Sequence, residues 1–380
     1  MTEVLSNARV LTDQGFRERQ SVVLDDGLIQ AVVNDDDVEA GDAAVRDLDG
    51  QLLLPGFIDI QVNGGGGVLF NDAPSVESIR AIGVAHREYG TTGFLPTLIS
   101  DDLEVVAAAI AATDEAIEAG VPGVLGIHLE GPFLNEAKKG VHDPAKFRVL
   151  DNDAIALLSS LKRGKTLVTL APEMTSPALI AELADAGVIV AAGHTNGTYD
   201  EVRAALDAGL SGFTHLFNAM SPLTSREPGV VGAALDDDAS WCSLIADGHH
   251  VHPASLRIAI ASKPRGRSLL VTDAMSSVGA VNKSFEFNGQ LIEVSNGRCV
   301  TADGTLAGSD LDMATAVRNA TTMLHVDLAE AVRMASEYPA AALGLEDEVG
   351  QIKAGYRANL VLASQELNIT ETWINGRSSS

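Results

Sequence analysis

Gly126-Ile127-His128-Leu129-Glu130 is a short apolar run that finishes on a carboxylate, and two later runs finish on imidazoles: Val190-Ala191-Ala192-Gly193-His194 and Gly212-Phe213-Thr214-His215. Such runs, separated by Ala/Leu/Glu-rich stretches, read as buried strands alternating with helices. Strands are predicted near residues 54–62, 91–98, 123–130, 166–171, 187–193, 210–216, 242–247 and 268–273. Helical stretches lie between most of them, for example 101–119, 152–162, 177–186 and 198–208. Eight units of this kind predict an α/β fold, a (β/α)8 TIM-like barrel, in which reactive side chains project from the C-terminal ends of several strands. Glu130, His194 and His215 end strands three, five and six and so converge on one barrel mouth. One carboxylate and two imidazoles form a three-ligand metal set that leaves a position open for a reactive water.

Outside the barrel, residues 1–53 hold short β-like runs such as Ser21-Val22-Val23-Leu24 and Leu28–Val33, broken by the Asp25-Asp26-Gly27 turn. The same pattern returns over 349–380, with Asn359-Leu360-Val361-Leu362-Ala363 and Asn375-Gly376. Two β-rich ends around a different middle predict a small β-sandwich built from both termini, leaving 54–348 to the barrel. Two segments break the alternation. Residues 217–238 are too rich in Pro and Gly for a helix and read as a long functional loop. Residues 283–308 read as a β-hairpin inserted after strand eight.

Composition narrows the function. The chain has 380 residues, 46% of them hydrophobic, with 36 glycines. Its 52 acidic residues against 26 basic ones give a formal charge of −26, which argues strongly against nucleic acid or an anionic membrane surface as a partner. An anionic substrate would need a local basic pocket. Cys242 and Cys299 are the two cysteines, far apart and without CxxC spacing, so no disulfide framework or zinc–cysteine site is expected. No membrane-spanning run and no signal-peptide pattern stand out, and a cytoplasmic location is the expectation.

Further candidates cluster at the same mouth. Asp273 closes the run Ser268-Leu269-Leu270-Val271-Thr272 and is suited to shuttle a proton; a turn or helix-cap aspartate is the plain alternative. His128 shares the strand face of Glu130 and is the rival ligand, ranked second because Glu130 lies nearer the mouth. Gln61 and Asn63 end strand one on one face, but neither is a strong ligand, which argues against a two-metal site. The glycines 64–67 read as a tight loop beside the site. His142 and the Asp247–His250 run read as barrel-mouth loops; against the acidic background Arg226, His250 and the Lys138-Lys139 pair offer places to hold an anion, although each taken singly is more often a solvated residue. His86, His252 and His325 fall in helix-like stretches and receive no role, and His249 is undecided.

Several segments together carry a resemblance. They are Pro-Gly-Phe-Ile-Asp-Ile-Gln-Val-Asn-Gly at 55–64, His-Leu-Glu-Gly-Pro-Phe at 128–133, Lys-Gly-Val-His at 139–142 and Gly-His-Thr-Asn at 193–196. Thr-His-Leu-Phe-Asn-Ala-Met at 214–220, Arg-Glu-Pro-Gly at 226–229, Thr-Asp-Ala-Met at 272–275 and Leu-Ala-Gly-Ser at 306–309 complete the set. The chain resembles the N-acetylglucosamine-6-phosphate deacetylases of the amidohydrolase superfamily over nearly its whole length. The resemblance implies hydrolysis of the acetamide of a phosphorylated amino sugar by a metal-activated water, with Glu130, His194 and His215 as ligands and Asp273 as acid/base. It implies one divalent ion per subunit, Zn²⁺ for preference, and a homodimer. His142 would orient the substrate and polarise its acetyl carbonyl. Val141, Asn218, Ala219, Arg226 and His250 would hold sugar and phosphate, with Leu306, Ala307 and Gly308 lining the sugar and Gln61 and Asn63 beside the metal. Strand four, Lys165–Leu170, ends without a lysine to bridge two metals, which weakens the cyclic amidases and dihydroorotases as alternatives. Another amidohydrolase, or a non-catalytic sugar-phosphate-binding protein, is the remaining competing reading.

Overall fold

The computed structural model describes residues 2–38, 41–302 and 304–379. Eight parallel strands follow one another around a nearly closed barrel: Phe57–Val62, Thr91–Ile99, Gly126–Glu130, Lys165–Leu170, Ile189–Ala192, Gly212–Phe213, Trp241–Ile245 and Ser268–Val271. Every neighbouring pair in this order is parallel. Parallel strands need a crossover between them, and helices such as Val76–Arg87, Leu103–Glu118 and Pro177–Asp185 supply it. The strands are buried along almost their full length, as expected where helices cover the outside and side chains fill the inside. The predicted α/β barrel is the fold observed.

Strands one and eight meet just past their hydrogen-bonded ends. Asp273 N–H donates to Gln61 O at 3.0 Å, and Asn63 N–H donates to Ala274 O at 2.9 Å. This seam brings the ends of the first and last strands to the same mouth.

The stretch expected as one strand over 54–62 is two. Leu52–Pro55 belongs to the terminal sheet, where it pairs with Arg9-Val10 and with Leu360–Ala363, and only Phe57–Val62 enters the barrel. Gly56 is the break. A side chain there would overlap Thr92, whose hydroxyl lies 1.9 Å from the position of a Cβ. Both segments are continuously apolar because both are buried, so hydropathy alone does not separate them.

The terminal sheet runs through both ends of the chain, with Glu3–Thr12 at its centre and Ile369–Ile374 near one edge. The expected sandwich is one continuous hydrogen-bonded sheet rolled around its own core rather than two separate sheets. Ile29 N–H donates to Tyr356 O at 2.8 Å, which draws the far edge back toward the C-terminal strands. Leu5, Val10, Val22, Ile29, Leu53, Leu360 and Trp373 fill the interior.

Two further expectations change. Within 217–238, Gly229–Asp236 is a helix, because Pro228 and Gly229 occupy its start, where neither breaks the backbone ladder, and Val230, Val231, Ala233 and Ala234 are buried. The insertion is a four-stranded antiparallel meander, Phe285–Phe287, Gln290–Ser295, Arg298–Val300 and Leu306–Ser309, rather than a single hairpin. It carries a small core of its own in which Phe287, Ile292, Cys299 and Ala307 pack with Leu69, Ile99 and Met275 of the barrel.

Trp373 is fully buried, and Arg46 stacks on its ring at 5.4 Å. Trp373→Ala is expected to cost about 3–5 kcal/mol, as large-to-small changes in packed cores do. A chemical denaturation midpoint indistinguishable from that of the parent would overturn this assignment of the sheet's core.

Candidate metal centre at the barrel mouth

Glu130 is the last residue of strand three, but His194, His215 and Asp273 each lie two residues past the end of their strands. All three have left-handed backbones, with φ of 48°, 35° and 53°. These kinks turn the side chains inward over the barrel instead of letting them follow the strand. Residues without a β-branch tolerate this conformation at a modest cost.

The three proposed ligands come together. His215 Nε2 lies 2.9 Å from Glu130 Oε1, His194 Nε2 lies 3.3 Å from the same oxygen, and the two Nε2 atoms are 3.1 Å apart. One ligand atom from each falls within 4.8 Å of the others, and all three residues are buried. Two imidazole nitrogens and a carboxylate oxygen aimed at one point fit a divalent ion with nitrogen and oxygen ligands. The surroundings fit as well. The carbonyl of Lys138 can only accept, so its 2.8 Å contact assigns the proton of His194 to Nδ1 and leaves Nε2 as a lone-pair donor. Gly140, at φ +55°, passes beside this ring, and a Cβ there would lie 3.2 Å from His194 Cε1.

His128 is resolved as a structural residue. Its Nε2 meets Thr169 Oγ1 at 2.8 Å and its Nδ1 meets Thr97 Oγ1 at 3.4 Å, so both ring nitrogens are engaged below the mouth. Burial lowers its pKa to about 4, which keeps it neutral.

Gln61 and Asn63 act as amide donors. Gln61 Nε2 bridges Glu130 Oε1 at 3.0 Å and Asp273 Oδ1 at 3.2 Å, and Asn63 Nδ2 donates to Asp273 Oδ1 at 2.7 Å. The carboxylate of Asp273 is thereby held over the ligand set with its other oxygen left to the cavity. Burial, reinforced by the negative charge of Glu130, pushes its pKa up to about 6, close to the value a proton shuttle needs near neutrality.

His142 closes one side. Backbone N–H of Ser100 reaches its Nδ1 at 3.4 Å and Ser100 Oγ lies 2.7 Å away. An N–H can only donate, so Nδ1 accepts and the proton sits on Nε2, 3.7 Å from Glu130 Oε2. Burial and the neighbouring His194 hold the His142 pKa well below its usual range, so the ring is a neutral donor.

Glu130, His142, His194, His215 and Asp273 line a cavity of about 370 Å³ together with Asn63, Val141, Asn218, Ala219, His250, Leu306 and Gly308. A larger cleft of about 810 Å³ opens between the terminal sheet and the N-terminal ends of the strands, but it gathers none of the ligand set. Ala307 is fully buried in the small core behind the wall, so of the expected sugar-lining loop only Leu306 and Gly308 face the cavity. Arg226 is exposed on the loop ahead of the 229–236 helix and is absent from the wall. Lys138 is absorbed structurally, its Nζ donating to Met220 O at 2.9 Å. His250 lines the cavity with its Nδ1 2.6 Å from Asp247 Oδ2, while His249 faces the insertion. His252 caps the helix Pro253–Ser262, and His325 has a left-handed backbone between helices, so neither lies inside a helix as expected. Gly64–Leu69 is a tight hairpin, with φ of +63° and +86° at Gly66 and Gly67, as the loop reading expected. Sequence reasoning missed Ser100, which directly follows strand two and could have been found by its strand-end position. It also missed Arg298, which lines the cavity from the insertion and carries no motif.

The amidohydrolase family model matches residues 52–378, which is most of the chain. The chain belongs to the amidohydrolase family. It is 42% identical to the N-acetylgalactosamine-6-phosphate deacetylase of Shewanella sp., covering 98% of this chain and 95% of the relative. It is 36% identical to the N-acetylglucosamine-6-phosphate deacetylase of Haemophilus influenzae, with 99% of each covered. Its structure superposes on the crystal structure of N-acetylglucosamine-6-phosphate deacetylase from Pasteurella multocida with a TM-score of 0.96 at 35% identity over the full length of both. Among the described residues, no helix is long and apolar enough to cross a membrane.

Metal affinity is expected to depend steeply on pH. Burial disfavours the imidazolium of His215, but its hydrogen bond to Glu130 outweighs this and raises its pKa above the ordinary 6.5 or so. A raised value means that protons compete with the ion as pH falls, so affinity is greatest above the titration point and falls by up to about tenfold per pH unit below it. Competition titration with a chelator from pH 8 to pH 5 measures this, and a flat profile would contradict ligation by His215.

Proposed function

We propose that this amidohydrolase removes the acetyl group of N-acetyl-D-glucosamine 6-phosphate, giving D-glucosamine 6-phosphate and acetate. The observation that carries this reading is the buried Glu130–His194–His215 cluster facing the same cavity as the amide-held carboxylate of Asp273. The likeness to relatives of that name supports the substrate.

Glu130, His194 and His215 would hold one divalent ion per subunit, for which we take Zn²⁺, and such an ion would supply Lewis acidity and lower the pKa of a water to about 7. Asp273 accepts the proton of the attacking water and delivers it to the sugar nitrogen as the C–N bond breaks. Burial raises its pKa above the ordinary carboxylate range, which favours its taking up a proton. His142 donates from Nε2 to the acetyl oxygen as negative charge develops there. Its neutral state costs nothing in repulsion from the ion. Gln61 and Asn63 keep the Asp273 carboxylate aligned, and Asn218, Ala219 and Val141 bound the sugar. In this reading the enzyme is cytoplasmic and homodimeric, and Arg226 contributes from a second copy, since it lies outside the wall of its own cavity.

A second reading concerns the sugar alone. The higher identity to an N-acetylgalactosamine-6-phosphate deacetylase favours the C4 epimer as an alternative substrate with the same machinery.

Acetate release from both 6-phosphates and from the unphosphorylated parents, by chelator-treated protein with and without added Zn²⁺, decides between these readings. Zinc-restored release from one phosphorylated epimer identifies the substrate, and release from neither would reject the deacetylase assignment. Asp273→Asn keeps size and tolerates the left-handed backbone, so it should retain stoichiometric metal while turnover falls by roughly 10²–10⁴. His142→Gln is expected to lower kcat by on the order of 10²–10³ with a small change in KM, and an unaltered kcat would remove His142 from the chemistry.

A further inference from the structure

We propose that Arg298, on the inserted meander, binds the phosphate of the substrate from within the same subunit as Asp273. This deepens the deacetylase reading and rests on it.

The cavity carries Glu130 and Asp273 in a chain with a formal charge of −26, so a phosphate of about −1.5 to −2 at pH 7 needs a compensating cation. Among the described residues lining this cavity, Arg298 is the one lysine or arginine. Its position follows from strand alternation. Cys299 points into the small core with Phe287, Ile292 and Ala307, so Arg298 takes the opposite face of the strand, the face on which Leu306 of the paired strand also meets the cavity.

The turn before Arg298 is anchored at the site. His249 Nε2 donates to Asn296 O at 3.0 Å, and backbone N–H groups of His249 and His250 both donate to Asp247 Oδ1, at 2.8 and 2.9 Å. Asp247 also holds the ring of His250, which lines the same cavity. One short network therefore ties the turn before Arg298 to the loop of His250, and both residues line the same cavity.

The guanidinium is also available. Acidic residues outnumber basic ones two to one, and Arg46, Arg163, Arg203, Arg265 and Arg357 are all paired with carboxylates. Arg298 has no ion pair or hydrogen bond from its side chain to any described residue. An arginine on a cavity wall, with no carboxylate partner among the described residues, is a fork-shaped donor set suited to two phosphate oxygens.

The test compares the parent enzyme with Arg298→Ala and Arg298→Lys, using steady-state acetate release and calorimetric titration with inorganic phosphate. Arg298→Ala is expected to raise KM for the phosphorylated sugar at least tenfold, with kcat within about twofold, and to weaken phosphate binding by a similar factor. Arg298→Lys should recover part of both losses. An unchanged KM and unchanged phosphate affinity in Arg298→Ala would overturn the proposal, as would equal losses on phosphorylated and unphosphorylated sugars. If the parent enzyme releases no acetate from any of these sugars, the deacetylase reading fails. The phosphate titration then still decides whether Arg298 holds an anion.

Discussion

The seam between the first and last barrel strands is the constraint on which the site depends. Asp59, fully buried on strand one, accepts hydrogen bonds from the hydroxyl and N–H of Thr272 and from Gln61 N–H. Burial pushes its pKa up to about 7, and these donors pull against that shift. The clasp fixes Thr272 beside strand one, and the next residue is Asp273. The same few residues thus close the barrel and set the direction of the proposed acid/base. Gln61 and Asn63 extend this clasp upward, one amide touching both carboxylates and the other only Asp273. Removing the seam would leave the metal ligands on their own strands but would free Asp273 from all of its amide donors.

Electrostatics at the mouth follow from burial. Burial alone would make Glu130 reluctant to ionise, but its hydrogen bonds and charge attraction with His194 and His215 hold it well below the usual carboxylate range. Asp273 has amides rather than imidazoles as its direct partners, and its value moves upward instead. Two neighbouring carboxylates are thereby pushed in opposite directions, Glu130 toward ionisation and Asp273 toward holding a proton.

Much of this was legible in the sequence. Glu130, His194, His215 and Asp273 each follow a buried apolar run, and a barrel has a single mouth to which such ends point. The rank of Glu130 over His128 was also readable, since position along a strand decides which side chain reaches the mouth. Other features were hidden for physical reasons. The left-handed turns at His194, His215 and Asp273 leave no trace in hydropathy. Leu52–Pro55 and Phe57–Val62 look like one strand because both are buried, and only the close approach of Thr92 to Gly56 separates them. Arg298 depends on a fold-back of the insertion onto His249, a contact between distant residues that local pattern does not encode.

The terminal sheet has a bearing on how the chain acquires its shape. Leu52–Pro55 lies between Glu3–Thr12 and Leu360–Ala363, so the sheet is completed by a strand about three hundred residues later in the chain. During synthesis from the N-terminus, Leu53 and Leu54 wait with one hydrogen-bonding edge open until the last segment emerges. The whole barrel segment is therefore synthesised before this edge can be paired. Pairings of such high sequence separation carry a large loop-closure cost, so the terminal sheet adds long-range order to a chain whose barrel is built from neighbouring strands.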